Sequence, residues 1–263
     1  MKRPTQLLCQ LFCSILFIFP LSINAAQTSK EYFQIRIYHY EDASQAGKIE
    51  SFLENAYLPA LHRAGVKKAG VFKPIDDPEA SDNRIFVFIP FKTLDQFSQL
   101  DAKLKRDKAF QKDGKAYLDA PFDDPPYVRL ETILLHAFDY MPEARIPDLD
   151  SPPEDRIYEL RSYESYTEHI LANKIQMFNE GGEVSLFEKL EFNAVFYAEV
   201  ISGSRMPNLM YMTSFADMKS REEHWAAFRE HPDWKRISSM EEYQDNVSKI
   251  DRIMLHHTAY SDF

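Results

Sequence analysis

The chain carries one short text twice, and this duplication restricts its fold more than any other feature. Phe33-Gln34-Ile35-Arg36-Ile37-Tyr38 reads against Tyr158-Glu159-Leu160-Arg161-Ser162-Tyr163, with Arg36 over Arg161. The ends of the copies agree as well: Leu130-Glu131-Thr132-Ile133-Leu134-Leu135-His136 lies over Ile250-Asp251-Arg252-Ile253-Met254-Leu255-His256. A unit of about a hundred residues exceeds the roughly 20–50 residues of a solenoid repeat, so the text describes two copies of one small domain. Two such copies can pack on each other and enclose a site that neither holds alone.

Each copy reads as strand, helix, two strands, helix, strand. Over Glu31–Tyr40, Phe33, Ile35 and Ile37 alternate with Gln34, Arg36 and Tyr38, the pattern of a strand with one apolar face. Ile49, Phe52, Leu53, Ala56, Tyr57, Ala60 and Leu61 then recur at helical spacing. Pro59 predicts a kink or break near Asn55–Leu58, and Gly65 suits the helix end. Strands follow at Lys68–Ile75 and Arg84–Phe91, with a loop at Asp76–Asp82. Thr93-Leu94-Asp95-Gln96 has the form of a capping box. A further helical piece spans about Asp107 to Leu118, and Tyr127–Phe138 is the last strand of the copy.

The second copy repeats the order. Its strands are Arg156–Glu164, Asn193–Ile201, Leu209–Phe215 and a closing segment within Asn246–Tyr260. Its first helix, with Ile175 and Phe178, meets Gly181-Gly182 where the first copy has Asn55 and Ala56, so both copies weaken the same helix. Ser220-Arg221-Glu222-Glu223 is a second capping box, and Pro232 can start another helix. Residues 139–155 hold four prolines and six acids and read as a stiff, solvated linker. Strand-helix-strand-strand-helix-strand is the split arrangement of ferredoxin-like α+β domains, with helices on one sheet face. The other face must be covered, and the other copy is the obvious cover. The organisation expected is a leader at 1–25, domain 1 at 31–138, the linker, and domain 2 at 156–260.

Composition narrows the classes. Lys2 and Arg3, the apolar stretch Leu7–Leu21 and the small residues Ala25 and Ala26 read as a secretory signal peptide. An exported protein, periplasmic or secreted, is expected, with no stable membrane insertion once the leader is gone. Cys9 and Cys13 are the only cysteines, and both lie in that leader. The remainder therefore lacks disulfides, thiolate catalysis and cysteine-ligated metals. Losing the leader removes two positive charges from a net −10 and no acid. That balance argues against a nucleic-acid partner, which wants a basic footprint. None of the seven glycines falls in a dinucleotide or phosphate-loop pattern.

Tyr158-Glu159-Leu160-Arg161-Ser162-Tyr163 with its partner around Arg36, Leu58-Pro59-Ala60-Leu61, and Pro207-Asn208-Leu209-Met210-Tyr211-Met212 together resemble the NIPSNAP family. The likeness is to exported bacterial members with tandem domains, and it covers nearly the whole chain after the leader. It implies a dimeric α+β barrel, two ferredoxin-like units facing sheet to sheet, here supplied by one chain. It transfers no catalytic set. Animal relatives are associated with mitochondria and protein interactions, and barrel relatives outside the family include cofactor-free monooxygenases and haem proteins.

Candidate ligand-binding residues come from the first and last strands of each copy: Arg36, Tyr38, Glu131, His136, Arg161, Tyr163, Asp251 and His256. In the split order the first strand lies beside the fourth, so Arg36 can pair with Glu131 and Arg161 with Asp251. Such pairs either neutralise charge where the two sheets meet or line a pocket there, with Arg holding an anionic group and Tyr or His exchanging a proton. No metal set and no cofactor is expected, although one haem ligand among His39, His136 or His256 stays open. A small-molecule site predicts a closed pocket of several hundred Å³ beside Arg36 or Arg161. A protein-interaction module predicts an exposed apolar patch beyond about 600 Å². A homo-oligomer or a protein partner fits that second reading. Arg161→Ala is expected to be costlier than Lys174→Ala, on the helix. Expressed with its leader in a secreting bacterial host, the exported product should begin at Ala26 or Gln27. Intact mass spectrometry checks this, and an exported chain that retains Lys2 and Arg3 would refute it.

Overall fold

The computed structural model describes residues 29–75 and 83–263. The leader and the loop expected at 76–82 lie outside those residues. The first half runs β1 (Tyr32–His39), α1 (Ala43–Phe52), a π-helical turn (Leu53–Tyr57), α2 (Leu58–Arg63), β2 (Gly70–Pro74), β3 (Arg84–Phe91), α3 (Leu94–Arg106), α4 (Lys108–Asp113), α5 (Lys115–Leu118) and β4 (Arg129–Ala137). The second half runs β5 (Ile157–Glu164), α6 (Glu168–Phe178), α7 (Glu183–Lys189), β6 (Phe196–Ser202), β7 (Asn208–Phe215), α8 (Met218–Glu230), α9 (Pro232–Ser239) and β8 (Lys249–His257). The strands close into one barrel in the order β1-β3-β2-β8-β5-β7-β6-β4. Within each half the first strand lies between the third and fourth, as the split ferredoxin-like order requires. Antiparallel pairs β2·β8 and β4·β6 join the halves. The fold is the expected α+β barrel of two ferredoxin-like units.

Both weak points in the first helices are used. Pro59 has no N–H to give the carbonyl of Asn55, and its ring crowds that turn. The chain answers by widening to π geometry over Leu53–Tyr57, with the Leu58 N–H bonding back to Leu53. In the second half the helix stops at Phe178, and Gly182, at φ +96°, restarts it as α7. Gly65, at φ +94°, ends α2: the Gly65 and Val66 N–H groups bond to the carbonyls of His62 and Leu61, the Schellman arrangement. Thr93 caps α3 through the Gln96 N–H. The second capping box is displaced: Asp217 caps α8 by accepting from the Ser220 N–H, so the helix begins before Ser220.

Which strand face turns inward corrects the sequence expectation. Phe33, Ile35 and Ile37 point into the barrel with Phe72, Phe86, Phe88, Ile133, Leu135, Tyr158, Leu160, Phe196, Met210, Met212 and Leu255. Gln34, Arg36 and Tyr38, and likewise Glu159, Arg161 and Tyr163, point outward beneath the helices. The reason is area. The space between two sheets has no water, and the bulky apolar set fills it, while the helix layer offers polar partners to the other face. Phe33, Phe88 and Phe196 meet at 4.8–5.5 Å between ring centroids.

Segment 139–155 is not a free solvated spacer. Pro142 accepts from the Glu31 N–H at 2.8 Å, the Arg145 N–H bonds to Val195 at 2.9 Å, and Met141 is buried. Ala144 and Ile146 pack on one end of the barrel core, which Phe263 also covers. The centre of the barrel is thus filled. Phe196→Ala should destabilise the fold by about 3–5 kcal/mol, since it opens a cavity between two rings. Urea denaturation measures this, and a loss under about 1 kcal/mol would show that the barrel centre collapses freely.

Candidate functional site

At the other end of the barrel the apolar alternation stops with polar residues on the inward face. His39 follows Phe33, Ile35 and Ile37 on β1. Glu131 precedes Ile133 and Leu135 on β4. Ser162 follows Tyr158 and Leu160 on β5, and Asp251 precedes Ile253 and Leu255 on β8. These ends surround a cavity of about 140 Å³ walled by Ile37, Phe86, Ile133, Leu160, Met210 and Ile253. The His39 Nε2 lies 2.8 Å from Glu131 Oε1. Arg205, at φ +71° in the β6–β7 turn, pairs with Asp251 from across the mouth. Asn208, 2% exposed, donates from Nδ2 to Ser162 Oγ at 2.9 Å and leaves its Oδ1 buried without a partner. Gly203 lets the turn approach the wall: a Cβ there would stand 3.1 Å from the Ile133 side chain.

The expected Arg–carboxylate pairs do not form. Directly opposed residues share a sheet face, and Arg36 is opposite Thr132, whereas Glu131 is opposite Ile37. Arg161 is opposite Arg252, and Asp251 opposite Ser162. Each Arg is therefore outside the barrel and its proposed acid inside. Of the eight expected residues, Glu131 and Asp251 meet at the mouth. Tyr38 and Arg36 lie under the helices of the first half, Tyr163 and Arg161 under those of the second. His136 stacks on Tyr32 on the outer face, at 4.5 Å and 12°. Burial there, with the nearby charge of Lys30, holds its pKa below the usual histidine value. His256 also lies outside the barrel, 2.9 Å from the Arg156 carbonyl through Nδ1.

The second-half cluster is fully paired. Glu159, with no exposed surface, accepts from Arg161 Nε at 2.7 Å, from Arg221 Nε and Nη2 at 2.9 Å, and from Trp225 Nε1 at 2.7 Å. The Arg161 guanidinium lies 3.7 Å from the Trp225 ring centroid and donates to Tyr163 Oη at 3.1 Å. Burial alone would raise the Glu159 carboxyl, but the Arg221 hydrogen bonds and the Arg161 charge outweigh it and hold the pKa below the ordinary 4.5. Lys174 is no surface residue either. It is 3% exposed and bonds Glu183 Oε2 at 2.8 Å, which invalidates it as a mild comparison for Arg161.

Sequence reasoning missed Arg84, Ser162, Arg205 and Asn208 at the mouth, and it weighed His39 only as a haem ligand. The mouth residues that stand on strands carried a signal: a polar residue ending an apolar alternation marks where the barrel interior meets water. Arg205 carried none, because a turn places it. Among the described residues no group of three or more His, Asp or Glu is arranged to hold a metal ion, and no helix is long and apolar enough to cross a membrane.

Residues 158–262 match the NIPSNAP family model. A candidate monooxygenase from Lactobacillus acidophilus NCFM is similar in structure, with a TM-score of 0.54 and 11% identity over 87% of this chain and 94% of that one. An anthrone oxidase-like protein gives a TM-score of 0.53 and 10% identity, covering 88% and 93%. An uncharacterised NIPSNAP-like domain protein from Burkholderia xenovorans is 16% identical over 41% of this chain and 90% of that one, at a TM-score of 0.38. The first two share the fold across both halves. No curated protein matches the sequence.

Glu159→Gln should cost about 3–5 kcal/mol at neutral pH, because it leaves the buried Arg161 and the half-buried Arg221 facing a neutral amide. The folded Glu159 pKa is depressed, so its contribution is present above about pH 4.5 and fades as pH falls through the lower folded value. Urea titrations of wild type and variant should therefore converge in acid. Parallel curves from pH 7 to pH 2 would contradict the assignment.

Proposed function

We propose, starting from the match of residues 158–262 to the NIPSNAP family model, that the chain binds a small organic molecule at the barrel mouth. The observation that carries this reading is the origin of the cavity walls. β1, β3 and β4 of the first half and β5, β7 and β8 of the second all contribute to one space. Its size is close to the roughly 150 Å³ of an apolar cavity that takes up benzene. A ring-sized body fits against Ile133, Leu160 and Met210, and a polar substituent can reach the unpartnered amide atom of Asn208. Which end of that amide faces the ligand depends on its flip, and either end offers a hydrogen bond.

His39 and Glu131 supply the chemistry the mouth supports. A carboxylate on one ring nitrogen fixes the imidazole and leaves the other nitrogen to exchange a proton with the bound molecule. The fold neighbours are described in terms of oxidation. The mouth residues support binding and proton transfer, and the substrate remains a ring-sized molecule with one polar substituent. The deep site first expected between the sheets, beside Arg36 or Arg161, is replaced by this shallower one because aromatic side chains occupy the centre.

The reading also places the protein outside the cytoplasm, on the strength of residues 1–25. A homo-oligomer or protein partner would use the helical exterior, since every strand already has two neighbours. Ligand-observed NMR with small phenols, benzamides and cyclic ketones tests the mouth. Binders of about millimolar affinity are expected, weakened about tenfold by Ile133→Phe, which fills the cavity from β4. Lack of any binder, or undiminished binding by folded Ile133→Phe, refutes the reading.

A further inference from the structure

The two halves make opposite provisions for the same buried cation. In the second half Arg161 meets Glu159 and lies against the Trp225 ring. In the first half Gln34 stands where the repeat has Glu159. Counting from the helix caps Thr93 and Asp217, Asp101 stands where α8 has Trp225, and Phe97 where it has Arg221. Both the carboxylate and the ring that complete the second cluster are therefore missing from the first.

Arg36 remains, half-buried. Its Nη1 donates to Tyr57 Oη at 2.9 Å, and its guanidinium lies 5.0 Å from the Tyr57 ring centroid and 5.7 Å from that of Tyr38. Its Nε is buried without a partner, and no carboxylate among the described residues forms an ion pair with it. Gln34, 7% exposed, donates to Thr132 Oγ1 at 2.6 Å and leaves its other amide atom unpartnered. A groove of about 360 Å³ opens directly above these groups, between the sheet and α3. Phe97, Leu100 and Leu130 form its apolar walls, and Asp101 and Glu131 also line it, the Glu131 carboxylate lying 2.8 Å from His39 Nε2. By the count from the caps, it lies beside the α3 position that corresponds to Trp225 on α8.

We propose that this groove binds an aromatic carboxylate whose ring takes the position of Trp225 and whose carboxylate takes that of Glu159. Arg36 is the counter-ion, since a guanidinium left without an acid in a poorly solvated site gains most from an entering anion. Gln34, with its amide turned, adds an N–H donor to the same oxygen atoms. The ring stacks over the guanidinium as the indole does over Arg161. Asp101, exposed on the rim, sets the selectivity. It repels phosphate and sulfate, which carry charge on every side, and it accepts a hydrogen bond from a ring hydroxyl or amine remote from the carboxylate.

Isothermal titration calorimetry with benzoate, 4-hydroxybenzoate, benzyl alcohol and sulfate tests this. The two carboxylates should bind, 4-hydroxybenzoate the tighter, and their affinity should fall with added salt. Benzyl alcohol and sulfate should bind at least about tenfold more weakly. Gln34→Glu and Asp101→Trp each graft the second half's residue onto the first, and each should abolish carboxylate binding. Asp101 is exposed, so Asp101→Trp remains informative should Gln34→Glu fail to fold. Ile133→Phe separates the two sites. Benzoate binding that survives in Ile133→Phe and disappears in Asp101→Trp assigns it to the groove. Loss in Ile133→Phe with retention in Asp101→Trp, or no carboxylate binding by the wild type, overturns the proposal and leaves the mouth reading standing on its own test.

Discussion

Pairing of β2 with β8 and of β4 with β6 removes the four edges that two separate four-stranded sheets would leave open. Everything else follows from that closure. It turns one face of all eight strands into a single interior, and it requires that face to be apolar at the centre and at the end away from the mouth. The aromatic cluster of Phe33, Phe88 and Phe196 draws on both halves, so neither half has a complete core alone. The segment 139–155 serves the closure by lying against one end of the barrel, where Ala144 and Ile146 join the packing, while Met141 is buried in the helix layer of the second half.

Because the interior is full, chemistry is displaced to two kinds of place: the mouth and the layer between sheet and helices. At the mouth the strand ends supply His39, Glu131, Ser162 and Asp251 on apolar walls. In the helix layer each half holds its first-strand arginine against tyrosines. The second half resolves its arginine internally with Glu159, Arg221 and Trp225. The first half does not, since Gln34 is neutral and Asp101 is too small to fill the space. Duplication thus gives each half a built-in comparison for the other, and the differences between copies point to function more directly than the shared motif does.

Much of the fold was legible. Alternation at Phe33, Ile35 and Ile37, the spacing from Ile49 to Leu61, and the repeat itself carry the split ferredoxin-like order. Pro59 and Gly181-Gly182 mark where the first helices yield. Less of the site was legible. Arg36 and Glu131 sit on neighbouring strands, yet an odd register puts them on opposite faces, and no local pattern reports register between strands distant in sequence. Lys174 reads as a solvated helix residue and is instead buried against Glu183, a pairing set by the approach of α7 to α6. Arg205 comes from a turn with no periodicity to reveal it.

The sequence by itself determined the number of units, the order and type of their elements, the interruption of each first helix, and the apolar and polar faces of each strand. These follow from local covalent geometry and from side-chain period, which adjacent residues fix. Tertiary structure alone decided which of those faces became the interior, which acid each arginine meets, and where a cavity survives. Those outcomes depend on burying the larger apolar area between the two sheets and on the register of strands about a hundred residues apart. Side-chain volume and backbone pairing settle them together only once the barrel is closed.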